Sequence, residues 1–480
     1  MRLNSLKSTG SLGAMLTAGA LSLAAGTASA ETMLTVWSWD PNFNGDSMQR
    51  AMARYQAEHP DVSLVVADFG KDALEQKLQS QLASGSNQGL PDIVLIEDYA
   101  AQRFLLTFPQ AFEPVGEHVD LSGMAPYKVA LATVDGTAYS MPFDSGVTGV
   151  FYHRADLEAA GFAQDDLVGI TWDRFIEIGQ SVEAVTGKDF LVQPFNRTDL
   201  LRLMLQSAGT WYTTPDGAVS LGADPRFRKV VEEYIKVMTS GIVQDAAGWT
   251  EYVGAFTSHD VSGVATGAWI TAAIKANADQ AGEWAVAPIP RIDGIEGAVH
   301  ASNVGGSSWY VMAEGPNTEV ALDFLNDVWA GDSDFYADIL ADKGAVGSLL
   351  AARHTAAYDA PDPFFADQKI WADFADWLGV VPEVNFGVFT FEAEAAFLAL
   401  VLPLGAAMGV VAVGRLEVGE VLGPQGPRLA VGGRARAHVV DPDGLRPAAL
   451  AAVRVAAEED DVGLDPLRVE DAGGQPEDGV

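Results

Sequence analysis

The sequence predicts a layered α/β protein, on three observations. Short apolar runs rich in β-branched and aromatic residues recur along the chain, bounded by Gly, Pro, Asp or Asn. Between them lie longer stretches whose apolar residues fall at helical spacing. The strand-helix-strand-helix-strand order near the start requires crossover connections, and hence a parallel sheet with helices packed on it. In such sheets a ligand sits beyond the carboxyl ends of the strands.

The first thirty residues read as an export signal. Arg2 and Lys7 give a basic start, residues 12–25 are apolar, and Ala28-Ser29-Ala30 is a small-residue cleavage site. The apolar stretch is shorter than the roughly 20 residues a spanning helix needs. From Glu31 onward, about 450 residues remain, enough for two or three domains. A strand is predicted over 33–39, ended by Asp40-Pro41 because proline cannot continue a central strand. Asp46, with Gln49 three residues later, reads as the cap of a helix whose apolar face is Met48, Met52 and Tyr55. A strand over 63–69 leads through Gly70 into a helix containing Leu74, Leu78 and Leu82, and a third strand covers 92–96. The positions just past these strands, Trp39, Asp40, Lys71, Glu97 and Asp98, are the ones to watch. Further strands are predicted over 146–152, 284–289 and 307–312. Helices are predicted over 172–186 (capped by Thr171), 198–208, 226–239, 317–330 and 364–378. No repeat of 20 to 50 residues is present, which argues against a solenoid.

The end of the chain differs in composition. No aromatic residue follows Phe397 and no lysine follows Lys369. Residues 398–414 are uncharged and apolar, at the short end of what spans a bilayer. The remainder is rich in Gly, Pro and acidic residues. Residues 398–480 are expected to be a disordered or frame-shifted tail, with a membrane anchor as the alternative.

Composition and motifs remove several function classes. With 65 acidic against 29 basic residues, the surface repels nucleic-acid phosphates and anionic lipid headgroups, so no nucleic-acid partner is expected. The absence of cysteine excludes a disulfide framework and a thiol nucleophile. No G-x-S-x-G elbow occurs, and Gly187-Lys188 is followed by Asp189, which a P-loop does not tolerate. The seven histidines have no ligand spacing, so neither a metal site nor any cofactor is expected. Paired carboxylates from distant segments still leave a polysaccharide-acting enzyme open, at a separation of about 5–5.5 or 6.5–9.5 Å.

From about residue 33 to 397 the chain resembles the extracellular solute-binding proteins of ABC importers, in the sugar-binding branch that includes maltose- and lactose-binding proteins. The residues that carry the resemblance are Leu34-Thr35-Val36-Trp37-Ser38-Trp39, Tyr55-Gln56-Ala57-Glu58-His59-Pro60, Pro91-Asp92-Ile93-Val94 with Glu97-Asp98, and Tyr139-Ser140-Met141-Pro142-Phe143-Asp144 before Gly149-Val150-Phe151-Tyr152. Gly267-Ala268-Trp269, Pro288-Ile289-Pro290 and Gly305-Gly306-Ser307 follow in order. The resemblance implies a two-lobed periplasmic-binding-protein fold with the ligand cleft between lobes that close by hinge motion. It places lobe 1 at 31–142 and 285–330, and lobe 2 at 143–284 and 331–397. It further implies a periplasmic, monomeric protein that hands a sugar to membrane permease subunits, with no enzymatic activity. A non-sugar solute is the alternative ligand.

A sugar presents hydroxyls and an apolar ring face, which call for carboxylate or cationic partners and for aromatic rings. Asp40 and Asp98 suit hydroxyl acceptance or helix capping; Glu97 is a further acceptor and Lys71 a donor. Asp144 stands at the implied crossing between lobes. Gly305 and Gly306 allow close backbone approach or form an ordinary turn. Among the 11 tryptophans, Trp211, Trp249, Trp269 and Trp309 lie near glycines or element ends, as ring platforms or as core, and Trp39 is open between the two.

Overall fold

The opening strand, Thr32–Ser38, buries Leu34, Val36 and Trp37 and pairs in parallel with Val62–Asp68 on one side and Ile93–Glu97 on the other. In the computed structural model, which describes residues 32–214, 220, 224–313, 315–408, 415–423 and 426–434, this trio is three strands of a five-stranded sheet. The chain returns much later to complete it. Ser307–Val311 inserts antiparallel between Ile93–Glu97 and Met141–Asp144. The predicted parallel core is thus real but the sheet is mixed, because the returning strand enters from the opposite end.

A second five-stranded sheet runs in the order Trp284–Ala287, Thr148–His153, Gly263–Gly267, Leu191–Val192 and Val243–Gln244. Thr148–His153 is antiparallel to both of its neighbours. The long amphipathic helices pack on these sheets: Trp172–Thr186, Asp199–Ser207 and Pro225–Met238 bury Phe175, Ile178, Leu201, Met204, Val230 and Val237. Thr171 caps the first of them, accepting from the Arg174 amide at 3.3 Å. The cap predicted at Asp46 is different. A single π-helical turn, Pro41–Gly45, precedes the helix Asp46–Tyr55, and its cap is Asp40. Asp46 instead accepts from Arg50 at 2.6 Å.

Each sheet is the centre of one lobe, and the chain crosses between them three times. Asp144 to Thr148 is the first crossing, Ala287 to Ser307 the second, and the segment leading from Leu350 to Ile370 the third. The contacts shift the expected limits. Trp284–Ala287 belongs wholly to the second sheet, and Met141–Asp144 to the first. Helix Ser333–Lys343, expected with the second lobe, lies against the first: Arg50 and Arg54 of helix Asp46–Tyr55 pair with Asp342 at 2.5 Å and Asp332 at 2.7 Å. Helix Ile370–Leu378 packs against Thr148–His153, and Thr390–Met408 is tied to the second lobe through Glu394, which receives two hydrogen bonds from Arg202.

Among the described residues, no helix is long and apolar enough to cross a membrane. In the tail, Arg415–Gly423 and Gly426–Arg434 pair as an antiparallel hairpin, where no regular structure was expected. The signal segment 1–30, residues 409–414 of the apolar run offered as an anchor, and the last part of the tail, 435–480, lie outside the described residues.

Candidate functional site

Strand register places the carboxyl edges of the two sheets against the crossings. In the first lobe Ser307 is opposite both Glu97 and Asp144. In the second, Gly267 is opposite Thr148, and the adjoining Val147 bridges to Asn303 of the return strand. Residues that follow Ser38, Asp68 and Glu97 in the first sheet, and Val192, Gln244 and Gly267 in the second, therefore lie at the strand ends nearest the crossings 144–148 and 301–307.

On the first lobe, Lys71 opens the helix Lys71–Ala83 and donates to Glu97 Oε2 at 2.9 Å, with Glu75 at 3.6 Å. Burial opposes the lysine charge, but Glu97 and Glu75 outweigh it and hold the ammonium above its usual range. Burial pushes the Glu75 carboxyl up. Asp40 is exposed, sits in the left-handed region at φ 54°, and accepts from the amides of Asn42 and Phe43 through one carboxylate oxygen. The capping role considered for it is real. Trp39 is half-buried beside it, and its carbonyl accepts from Asn44 Nδ2.

Asp98 and Asp144 lie deeper. Asp98 is fully buried and takes a 2.5 Å hydrogen bond from Lys128, which also donates to the Ser307 carbonyl at 2.9 Å. Its second oxygen, Oδ2, has no protein partner. Burial pushes this carboxyl up to about 7, against the pull of Lys128. Asp144 is also buried, which raises its carboxyl, and it accepts from both the amide and the hydroxyl of Ser307 at 2.8 and 2.6 Å. These two aspartates fasten the crossing strands from below.

The glycines at the crossing are required by space. A Cβ on Gly146 would lie 2.0 Å from the Val304 carbonyl oxygen, and one on Gly306 would lie 2.8 Å from Asp98 Oδ2. Gly305 and Gly306 both have φ near +85°. Trp269 follows Gly267 and donates to the Val304 carbonyl at 2.8 Å, so its ring stands over this turn. Trp249 follows Gly248 at the start of helix Trp249–Thr257 and is 55% exposed. Its ring meets Trp269 at 5.8 Å between centroids and 34° between planes, and Tyr252 at 5.7 Å.

The other two tryptophans belong elsewhere. Trp309 is fully buried, stacked on Phe143 at 5.6 Å within the first lobe. Trp211 is 1% exposed, donates to Thr390 Oγ1 at 2.8 Å, and stacks on Tyr99 of the first lobe. The twelve positions thus divide. Trp39, Asp40, Lys71 and Glu97 lie at or after strand ends of the first sheet, Trp249 and Trp269 after those of the second, with Gly305 and Gly306 in the crossing that joins them. Asp98 and Asp144 support that crossing, Trp309 is core, and Trp211 joins the lobes.

Sequence reasoning missed several residues. Gln193 follows strand Leu191–Val192 between the loops that carry Trp249 and Trp269, and its buried Nε2 has no protein partner. Arg197, in the same loop, is paired to Asp199 at 2.6 Å. Lys128 carries no signal because it is brought to Asp98 only by the fold. Tyr99 and Asn303 had one, since each adjoins a segment already singled out. Among the described residues, no group of three His, Asp or Glu side chains is placed to hold a metal ion.

Two five-stranded sheets joined by three crossings are the architecture of a two-lobed solute-binding protein. Residues 50–398 match the family described as bacterial extracellular solute-binding protein, and the chain belongs to that family. It is 47% identical over 389 residues to the lactose-binding protein of Rhizobium radiobacter, covering 81% of this chain and 92% of that one. It is 25% identical over 289 residues to the arabinooligosaccharide-binding protein of Halalkalibacterium halodurans, covering 58% and 63%. Among solved structures, an extracellular solute-binding protein of family 1 superposes with a TM-score of 0.66 at 19% identity, covering 77% of this chain and 93% of that one. The sugar-binding protein MalE of Xanthomonas citri gives 0.62 at 17% identity, covering 77% and 91%.

Proposed function

We propose that this chain is an exported periplasmic receptor that binds a short saccharide between its lobes and presents it, as a monomer, to the permease of an ABC importer. The observation that carries the reading is the exposed Trp249 beside Trp269 after strand ends of the second sheet, with the Lys71–Glu97 pair at strand ends of the first. A sugar ring stacks its apolar face on such a corner while Glu97, Lys71, the free carboxylate oxygen of Asp40 and the Gln193 amide meet its hydroxyls. The likeness to the lactose-binding protein supports a saccharide over other solutes. Export through the 1–30 segment fits membership in an extracellular family.

Catalysis is the weaker reading. Of the raised carboxyls near the crossing, Asp98 and Asp144 are buried and held by Lys128 and Ser307, so a glycosidic oxygen does not reach them, and Glu75 lies 3.6 Å from the Lys71 ammonium. Calorimetric titration of the mature protein with lactose, arabinotriose, maltose, putrescine and glutamate tests the proposal. Saturable binding of a saccharide that is recovered intact supports it. Binding confined to putrescine or glutamate, or turnover of the sugar, sinks it.

A further inference from the structure

Trp249 heads a helix that is held mainly from its other end. Of the nine residues of Trp249–Thr257, three are buried: Tyr252, Ala255 and Phe256, the last two in the final turn. The Thr257 carbonyl accepts from Asn277 Nδ2 at 3.0 Å and from Gln280 Nε2 at 2.8 Å. Two residues on, His259 stands in the left-handed region at φ 58°, which is uncommon for a non-glycine residue. Its Nε2 lies 2.7 Å from Asp156 Oδ2, and its ring stacks on that of His153, with centroids 3.5 Å apart and planes 19° apart. His153 ends strand Thr148–His153 on the side away from the crossing, and its ring also meets Trp284 at 4.0 Å.

The two imidazoles differ in what surrounds them. A proton on His259 rests against Asp156, which also accepts from the Ser262 hydroxyl at 2.8 Å and has Lys188 at 3.7 Å. A proton on His153 finds no such support. That residue is buried, its Nε2 has no protein partner, and the exposed Glu283 lies 4.0 Å from its Nδ1. Arg154 and Glu158, which pair with each other at 3.6 Å, line the same open cavity beside the two rings. Burial, with His259 alongside, holds the His153 imidazole down at about 3. Acid therefore favours any arrangement in which the rings part and His153 meets water, by up to about tenfold per pH unit below 6.5.

Resting on the saccharide reading above, we propose that His259 and His153 are positioning residues for Trp249: their stack clamps the far end of the helix that carries the indole, and acid releases saccharide by parting the clamp. Nine residues of helix put the clamp about 13 Å from Trp249, so the imidazoles act through the helix and not by contact with the sugar. With the last turn loosened, the exposed first turn retains only the Tyr252 contact, and the indole loses its fixed place beside Trp269.

The test measures Kd of the mature chain for lactose and arabinotriose by calorimetry from pH 7.5 to 5, and follows hydrogen exchange of the amides of 250–257 at the same pH values. The reference is His153→Phe, which keeps a ring on Trp284, takes no proton, and leaves the titration of Asp98 in place. Wild type binds as tightly as this variant at pH 7.5 and at least about threefold more weakly at pH 5. Exchange over 250–257, corrected for the intrinsic effect of pH, accelerates in wild type alone, while that of strand Thr32–Ser38 does not. His259→Ala weakens binding about fivefold at pH 7.5, and His259→Gln, which keeps a donor for Asp156, restores it. In a Trp249→Ala background His259→Ala has no further effect on Kd, because both act through one indole. If His259→Ala does not melt cooperatively, His259→Ser takes its place. Equal pH profiles for wild type and His153→Phe, or a His259 effect that persists in the Trp249→Ala background, overturns the proposal while leaving sugar binding intact. Failure of both sugars to bind at every pH overturns the saccharide reading, and this proposal with it.

Discussion

Trp249 is the residue whose exposure is hardest to explain by packing, and its loss has a defined consequence. Trp249 is 55% exposed, so Trp249→Ala gives up little burial beyond its contact with Tyr252; melting temperature in the absence of ligand falls only slightly while saccharide affinity falls about tenfold. Fluorescence titration checks both the affinity and the loss of the reporting indole. The Asp98–Lys128 pair behaves differently, because both groups are fully buried. Removing one partner strands a charge, and Lys128→Met costs about 3–5 kcal/mol in urea unfolding. The double variant Lys128→Met/Asp98→Asn recovers most of that loss; a double variant as unstable as the single one would show that the pair holds the strands by more than charge. His153 gives a pH dependence. Burial, with His259 stacked at 3.5 Å, pushes its imidazole down to about 3. The folded protein therefore refuses a proton that the unfolded chain accepts near 6.5. This contribution is complete above pH 6.5 and is lost as pH falls toward 3, by up to about 1.4 kcal/mol per pH unit. Asp98 acts in the opposite sense, since its raised carboxyl is protonated in the fold before it is in the unfolded chain. His153→Phe thus flattens the acid-side loss of urea midpoint between pH 6.5 and 5, whereas an unchanged slope would assign it to other groups.

At the level of elements, the sequence was most legible where one element decides its own form. Helix 172–186 with its Thr171 cap emerged at its observed limits, because apolar period, cap and the C-terminal Gly187 all agree. The strand at 63–69 came within one residue of Val62–Asp68 for the same reason. What was not legible depends on chain reversal in space. Nothing local to Ser307–Val311 says that it slots antiparallel between two strands more than 150 residues earlier, and nothing in Ser333–Lys343 says that its aspartates meet Arg50 and Arg54. The site divides likewise. Residues that follow strands were findable from strand ends, whereas Lys128 and the partition of the tryptophans between platform, core and lobe contact required the packing. The crossing strands make an element-level prediction. Gly146→Ala forces its Cβ against the Val304 carbonyl, so the two strands must part; the variant melts lower by several degrees and binds saccharide more weakly. A variant equal to wild type in both would show that the crossing is looser than its close approach implies.

Across the whole molecule, the boundary between the fold and its tail follows where the family match and the aromatic residues end. The family match ends at residue 398, the aromatic residues end at Phe397, and among the described residues helix Thr390–Met408 is tied to the second lobe by Glu394 on Arg202 and by Phe397 against Tyr234 at 5.9 Å. The hairpin Arg415–Gly423 with Gly426–Arg434 pairs with itself. A pairing of two strands alone is marginal in water and gives a lobe little stability. The two-lobed unit, with its three crossings and the Tyr99–Trp211 contact, should therefore fold without the tail. Protein shortened after Met408 is expected to melt in one cooperative transition within about 2 °C of the full chain and to bind the same saccharide with the same Kd. Differential scanning calorimetry with and without ligand measures both. A fall of ten degrees or a loss of cooperativity would mean that the tail completes the second lobe, and that the Arg202–Glu394 pair is not enough to hold the last helix in place.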